Sequence, residues 1–60
     1  DNDFTSPLFL FKAGQVYESL GNYDKAISIY TKIKTDYYKS NEGRSIEKNI
    51  ARAQTLKDQK

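Results

Sequence analysis

Hydrophobic positions recur at helical spacing in three segments of the chain, with polar residues between them. Residues three and four positions apart lie on one face of an α-helix, so this spacing indicates amphipathic helices. The apolar or small positions are Leu10, Ala13, Gly14, Tyr17 and Leu20 in the first segment, Tyr23, Ala26, Ile27, Tyr30 and Ile33 in the second, and Ile46, Ile50, Ala53 and Leu56 in the third. The pattern predicts an all-α fold of three helices, the first two forming a helical hairpin.

Local residue choices set the ends of these helices. Ser6 is a favourable N-cap, and Pro7 suits the first helical position, where no backbone N–H is needed. Gly21 adopts the left-handed conformation that ends many helices, and Asn22 can cap the next helix. The expected helices span residues 7–20, 22–36 and 42–58. We expect residues 1–5 to form an irregular connection.

Two features of the first helix indicate close neighbours. Gly14 lies inside it, where glycine costs about 0.5–1 kcal/mol relative to alanine, so we expect a partner helix to approach its backbone closely. Ala26 is the small residue expected to face it on the second helix. In addition, residues 8–11 are all apolar and cover every side of the helix, which predicts burial by more than one neighbour.

Composition excludes several classes of site. The chain has 60 residues, enough for one small domain, and lacks both Cys and His, which excludes disulfides and thiolate or imidazole metal sites. Its net charge is +2 with Lys and Arg spread over all segments, so we expect no nucleic-acid partner. No apolar run approaches the roughly 18 residues of a membrane span, and we expect no direct membrane contact in this segment.

Catalytic residue patterns are also missing from the sequence. There is no Ser–His or Cys–His combination and no glycine-rich phosphate loop. Glu42 with Glu47, or Asp24 with Glu18, would need burial to act as an acid–base pair, because burial is what displaces a carboxyl pKa. We expect all four on wet faces. The sequence therefore predicts no enzyme activity, no cofactor and no metal.

The first two segments resemble the tetratricopeptide repeat (TPR), a 34-residue helix–turn–helix unit with the pattern W-x2-L-G-x2-Y, A-x3-F, P. The matching residues are Leu10-x2-Ala13-Gly14-x2-Tyr17, then Ala26-x3-Tyr30, then Tyr38. The run from Leu20 to Ala26 is similar to the turn of the family. Leu10, Ala13 and Tyr38 depart from it, standing for an aromatic, a larger aliphatic and a proline. The resemblance implies one hairpin of an α-solenoid.

The third helix does not repeat the pattern. Shifting the first helix by the family period of 34 residues places Glu47 and Lys48 where Ala13 and Gly14 stand. Terminal units of solenoids need a polar outer face, so we expect a capping helix. We expect the chain to be the C-terminal part of a longer repeat protein.

A narrower resemblance concerns the run from Ser6 to Gln54. It is similar to the last repeat and cap of bacterial proteins that carry one membrane span and a repeat domain outside the cytoplasm, and that resemble ancillary factors of export and envelope assembly. This implies a periplasmic location with the parent protein anchored in the membrane. The cytoplasm is the alternative.

The family resemblance also implies a partner-binding surface. In this family the first helices of the repeats line a groove that holds a peptide or a helix of another protein. The groove-facing residues would be Leu8, Phe11, Lys12, Gln15, Glu18 and Ser19. Phe11 and Gln15 stand where the subclass that clamps a chaperone carboxylate carries Lys and Asn, so we expect no such clamp.

Two functional hypotheses follow for this surface. The first is a protein–protein interaction module that binds a partner protein or peptide, for which Phe11→Glu should abolish capture while leaving helicity nearly intact. The second is a structural solenoid end or self-association element with no outside ligand. It would use Leu8, Phe9 and Val16 to form a homo-oligomer or to contact upstream repeats.

Overall fold

Three α-helices make up the computed structural model, which describes residues 6–59. They are α1 (Pro7–Ser19), α2 (Tyr23–Asp36) and α3 (Asn41–Asp58), and no strand is present between residues 6 and 59. The all-α fold and the helical hairpin are therefore confirmed. The connection expected at residues 1–5 lies outside the described residues.

Each helix end lies within one residue of the expected position, and the caps explain the differences. α1 ends at Ser19 because Leu20 is its C-cap, and Gly21 follows with a left-handed φ of 81°. Each N-cap side chain accepts a hydrogen bond from the backbone N–H three residues later, at 3.3, 3.4 and 2.9 Å. These N-caps are Ser6, Asn22 and Ser40. Side-chain caps replace backbone bonds that the first turn cannot make.

The middle helix of the unit is α2, against which both α1 and α3 pack. Two ion pairs join α2 to α3, one between Lys34 and Glu47 at 3.1 Å and one between Lys57 and Asp24 at 2.6 Å. Because each pair joins one end of α2 to the opposite part of α3, the two helices run antiparallel. α1 and α3 contact each other less, and the ion pair between Glu18 and Arg52 at 2.7 Å joins them.

The core is formed largely by the predicted apolar stripes. Tyr30, Ile33 and Ile46 are its largest fully buried side chains. The buried hydrophobic residues are Leu10, Ala26, Tyr30, Ile33, Ile46 and Ala53. Leu20 was expected among the buried apolar positions of α1, but this prediction is wrong, because its side chain is 74% exposed. Helical geometry places Leu20 about 80° away from the buried Leu10 around α1.

Gly14 lies where α1 crosses α2, as its position in the sequence predicted. A Cβ atom added to Gly14 would overlap Cε1 of Tyr30 and lie 2.9 Å from Cδ1 of the same ring. The close approach is therefore confirmed, but the neighbour is the flat ring of Tyr30 rather than the backbone of the partner helix. A side chain at position 14 would occupy the space of that ring.

A second glycine permits the tight connection between α2 and α3. A Cβ atom on Gly43 would overlap the carbonyl oxygen of Tyr37 and lie 2.8 Å from Cα of Tyr38. The first turn of α3 thus packs directly on the backbone of the preceding connection. The local sequence pattern gave no indication of this contact, because it depends on how α3 returns to α2.

Candidate partner-binding surface

Apolar side chains remain on the outer side of α1 after the three helices have packed. Phe9, Val16 and Leu20 are 45%, 57% and 74% exposed. With Ala13 they follow a spacing of four, three and four, which places all four within about 60° of arc on one side of the helix. We call these four residues the α1 stripe. A contiguous apolar stripe of this kind on a small protein is typical of an interaction surface.

The α1 stripe borders a shallow groove of about 410 Å³. It is lined by Phe9, Lys12, Ala13, Val16 and Tyr17. At 3.6 residues per turn, Lys12 and Tyr17 lie about 140° apart around α1 and form the two edges of the groove. Its floor is therefore apolar and its only charged lining residue within the described chain is a lysine.

A second lysine lies at the Tyr17 edge of the groove. The Lys25 ammonium, from the first turns of α2, is 5.8 Å from the centre of the Tyr17 ring. This is a cation–π arrangement, which holds the charge near the ring. Between residues 6 and 59, neither Lys12 nor Lys25 forms an ion pair.

A smaller depression of about 330 Å³ lies between α1 and α3. It is lined by Gln15, Glu18, Ser19, Arg52 and Leu56. It brings together three of the residues expected to face a partner, but its two charged side chains, Glu18 and Arg52, form an ion pair with each other.

A single carboxylate joins all three helices at this depression. Glu18 accepts two hydrogen bonds from Arg52, with Nε to Oε2 at 2.7 Å and Nη2 to Oε1 at 2.9 Å. The Tyr30 hydroxyl donates a third to Oε1 at 2.8 Å. Arg52 also donates to the buried Asn49 at 2.7 Å. Bidentate pairs of this type fix geometry as well as contributing energy.

These contacts shift the pKa values of the groups involved. The hydrogen bonds from Arg52 are the largest cause that lowers the pKa of Glu18 below its ordinary value of 4.5. Burial, followed by the hydrogen bond to Glu18, raises the pKa of Tyr30 to about 12. The side chain of Glu18 is only 11% exposed. The prediction that it lies on a wet face is therefore wrong, because Arg52 and Tyr30 enclose it.

The lowered pKa gives the first testable expectation. A carboxylate whose pKa is lower in the folded state stabilises the fold above the ordinary pKa of 4.5, and this stabilisation is lost as pH falls through the folded value. We expect Glu18→Gln to lower the free energy of unfolding by about 1–3 kcal/mol at pH 7, since the buried Tyr30 hydroxyl and Arg52 lose a charged acceptor. Urea unfolding followed by circular dichroism between pH 3 and pH 7 measures the difference.

The matched control is Glu47→Gln, which removes an equal charge from an ion pair with Lys34 whose carboxylate is 73% exposed. It should have little effect, because exposed pairs contribute about 0–1 kcal/mol. The difference between the wild type and Glu18→Gln should shrink below pH 4.5. Equal differences at all pH values would contradict the assigned role of Glu18.

The structure divides the six residues expected to face a partner between different surroundings. Gln15, Glu18 and Ser19 line the depression against α3, whereas Lys12 lines the groove beside the α1 stripe. Leu8 is 53% exposed and lines neither concavity. Leu8, Lys12, Gln15 and Ser19 are nevertheless all exposed and lie within about 60° of arc on one side of α1. Phe11 and Glu18 are less exposed than these four.

Phe11 belongs to the packed interior rather than to a groove. It is partly buried against the core, and its ring lies 6.2 Å from that of Tyr30 at an angle of 42°. We therefore expect Phe11→Glu to lower helicity, because the charge would enter this aromatic contact.

Of the three residues expected in self-association, Phe9 and Val16 lie in the α1 stripe and Leu8 does not. Sequence reasoning missed Ala13 and Leu20 as members of this surface. Their spacing from Phe9 and Val16 could have identified them, because it is helical but offset from the buried stripe.

No group of His, Cys, Asp or Glu side chains between residues 6 and 59 is arranged to hold a metal ion. Among the same residues, no helix combines the length and apolar character needed to span a membrane. Comparisons of the chain with protein-family models, curated proteins and solved structures gave no match.

Proposed function

We propose that this chain is a protein–protein interaction module, a TPR-like helical unit that binds a partner polypeptide through the outer side of α1. The observation that supports it best is the α1 stripe, in which Val16 and Leu20 are 57% and 74% exposed beside a groove of about 410 Å³. Apolar side chains in this number and spacing contribute little to an isolated unit, but they would stabilise a complex.

A 34-residue relation inside the chain supports the repeat interpretation. Glu18 and Arg52, which form the bidentate pair, are 34 residues apart. Equivalent positions of successive repeats lie side by side when repeats stack, and 34 residues is the TPR period. The pair thus joins α1 to the residue that occupies the same position in α3.

The same relation explains why the outer side of α1 suits a helix. Shifted by 34 residues, Phe9, Lys12 and Val16 correspond to Gly43, Ile46 and Ile50. In α3 these positions pack toward α2 and its connection: Ile46 is fully buried, Ile50 is packed on the core, and Gly43 contacts the connection. The other buried positions of α3, Asn49 and Ala53, correspond to Gln15 and Ser19. The face that α3 packs on α2 therefore corresponds to the Lys12 and Val16 side of α1, whereas Ala13 and Leu20 correspond to the exposed Glu47 and Gln54.

The expected affinity follows from the area available. Fully burying a large apolar side chain contributes about 1.5–3 kcal/mol, so three half-exposed ones contribute roughly 2–5 kcal/mol. Alone this corresponds to dissociation constants of roughly 0.2–30 mM, and further contacts along the groove are needed for about micromolar binding. Binding should therefore be measured at protein concentrations up to about 1 mM.

The experiment uses two fluorescent 18-residue amphipathic helical peptides with the same leucine stripe, one flanked by Glu and one by Lys. We expect wild-type protein to bind at least one of them, and Val16→Glu to weaken that binding at least tenfold, because it places a charge in the apolar groove. Fluorescence anisotropy gives the affinities and circular dichroism the helicity.

Ser28→Glu is the matched control, since it adds the same charge at an exposed position of α2. It should bind like the wild type. If neither peptide binds, or if Val16→Glu binds as tightly as the wild type, the proposed function is wrong.

The second candidate is self-association through the same stripe, and the exposure of Phe9 and Val16 is the observation that favours it. Sedimentation equilibrium over a wide concentration range separates the two. A dimer that Val16→Glu converts to monomer, together with no peptide binding, would establish the second candidate instead.

A further inference from the structure

We propose that the α1 stripe receives an amphipathic α-helix whose apolar face is flanked by Asp or Glu, and that Lys12 and Lys25 select it. The inference rests on the proposed function and adds the chemistry of the partner. It follows from the charges around the groove, from the length of the stripe and from the way α3 packs within the chain.

The two edges of the groove carry charge of one sign. Lys12 lines one edge and is exposed, and Lys25 lies 5.8 Å from the ring of Tyr17 at the other. Among the described residues, no carboxylate lines the groove. A helix lying on the apolar floor would place its flanking residues beside these two ammonium groups, where carboxylates are favourable and lysines are not.

No ion pair between residues 6 and 59 neutralises Lys12 or Lys25. The ion pairs between residues 6 and 59 are Lys32–Asp36, Lys34–Glu47, Arg52–Glu18 and Lys57–Asp24. Each uses a cation other than Lys12 and Lys25. No described carboxylate therefore pairs with the two groove lysines, and their apolar stems can cover the edges of a partner helix while the charges stay at the rim.

The shape of the surface favours a helix of about three turns. From Phe9 to Leu20 the stripe extends about 16 Å at 1.5 Å per residue. The internal α2–α3 contact provides a precedent, because Ile46 and Ile50, which correspond to Lys12 and Val16, pack on the core there. Ion pairs at 3.1 and 2.6 Å border that contact. Between residues 6 and 59, the border of the α1 groove has cations and no anion.

A second copy of the chain is a poorer occupant. A two-fold contact would pair the α1 stripe with itself, since both copies of a symmetric dimer use the same surface. Lys12 and Lys25 of both copies would then lie in one interface with no carboxylate from the groove between them. Like charges brought together in this way are unfavourable.

The test compares the Glu-flanked and Lys-flanked peptides by fluorescence anisotropy at low and high salt. We expect wild-type protein to bind the Glu-flanked peptide at least tenfold more tightly than the Lys-flanked peptide at low salt. The difference should be smaller in 1 M salt, where the Debye length is about 3 Å and charges are strongly screened. The variant Lys12→Glu/Lys25→Glu should reverse the preference.

The control variant is Lys39→Glu/Lys48→Glu, which changes the net charge equally. It resembles the test pair closely, because Lys39 lies 5.7 Å from the Tyr38 ring and Lys48 is exposed on α3. It should keep the wild-type preference. A reversal in the control as well would show that net charge, not the groove, selects the peptide, and would overturn the inference.

The remaining outcomes separate this inference from the proposed function. If both peptides bind equally and the charge reversal has no effect, the groove binds helices regardless of their charge. The inference then fails and the proposed function stands. If neither peptide binds, the proposed function itself fails. If the wild-type protein dimerises and binds neither peptide, the occupant of the groove is a second copy of the chain and not an acidic helix.

Discussion

Gly14→Ala is expected to remove most of the stability of the three-helix unit, although alanine is the better helix former. Within a helix, alanine is ordinarily favoured over glycine by about 0.5–1 kcal/mol. Here the added Cβ overlaps Cε1 of Tyr30 and lies 2.9 Å from Cδ1. The ring cannot move aside easily, because Tyr30 is fully buried and its hydroxyl donates to Glu18 at 2.8 Å.

The expected loss is large relative to what so small a domain possesses. Overpacking a core costs about 1–3 kcal/mol, and a displaced hydroxyl would add about 1 kcal/mol from the weakened hydrogen bond. A core of this size rarely supplies more than about 3–5 kcal/mol. Urea unfolding followed by circular dichroism should therefore show Gly14→Ala largely unfolded or unfolding at much lower urea.

Gln15→Ala is the control, because it introduces alanine at the next, exposed position of α1. It should be neutral or slightly stabilising. A Gly14→Ala protein as stable as the wild type would mean that α1 and α2 can separate at little cost, and the described packing of Tyr30 against Gly14 would be wrong.

Gly43→Ala is expected to have a larger effect still, because its Cβ meets backbone. It would overlap the Tyr37 carbonyl oxygen and lie 2.8 Å from Cα of Tyr38. That carbonyl is fixed by a hydrogen bond from the Ser40 N–H at 2.9 Å, and the Tyr37 N–H donates to Ile33 at 2.9 Å. The connection would have to open, which moves the first turn of α3 away from α2.

Unfolding experiments on Gly43→Ala should show loss of the cooperative transition, and amide exchange should show that α3 loses protection while the α1–α2 hairpin is less affected. Gly21→Ala is an informative comparison. A Cβ there meets nothing within 4 Å, but φ is +81°, so its cost is limited to the left-handed strain of about 1–2 kcal/mol. Equal losses in the two variants would contradict the close contact at Gly43.

The sequence predicted the three helices and their ends because those features depend on local information. Spacing of apolar residues identifies a helix, and a cap residue acts on a backbone group three positions away. This is why Ser6, Gly21 and Asn22 marked the ends of helices to within one residue. No information about distant parts of the chain was needed.

The polar network could not be obtained in the same way. Glu18 is 11% exposed only because Arg52, 34 residues later, and Tyr30, on α2, surround it. Local periodicity placed Glu18 on a wet face, since a glutamate beside an apolar stripe is ordinarily solvated. Asn49, buried at 9% exposure, was missed for the same reason.

The candidate surface was predicted in part. Four consecutive apolar residues from Leu8 to Phe11 indicated that α1 needs more than one neighbour, but a helix apolar on all sides gives no direction for each side chain. Only the packing of α2 and α3 shows that Phe11 faces Tyr30 and that Phe9 lies in the exposed stripe. Leu20 belongs to that stripe because its αR backbone at the C-cap continues the helical spacing from Phe9 and Val16.

The central claim is that a partner helix binds to the outer side of α1, and NMR titration of ¹⁵N-labelled protein with the Glu-flanked peptide tests it most directly. We predict saturable amide shifts concentrated at Phe9, Lys12, Ala13, Val16 and Leu20, with little change along the exposed face of α3. Shifts centred instead on Gln15, Ser19 and Leu56, in the depression between α1 and α3, or no saturable shifts with either peptide, would contradict it.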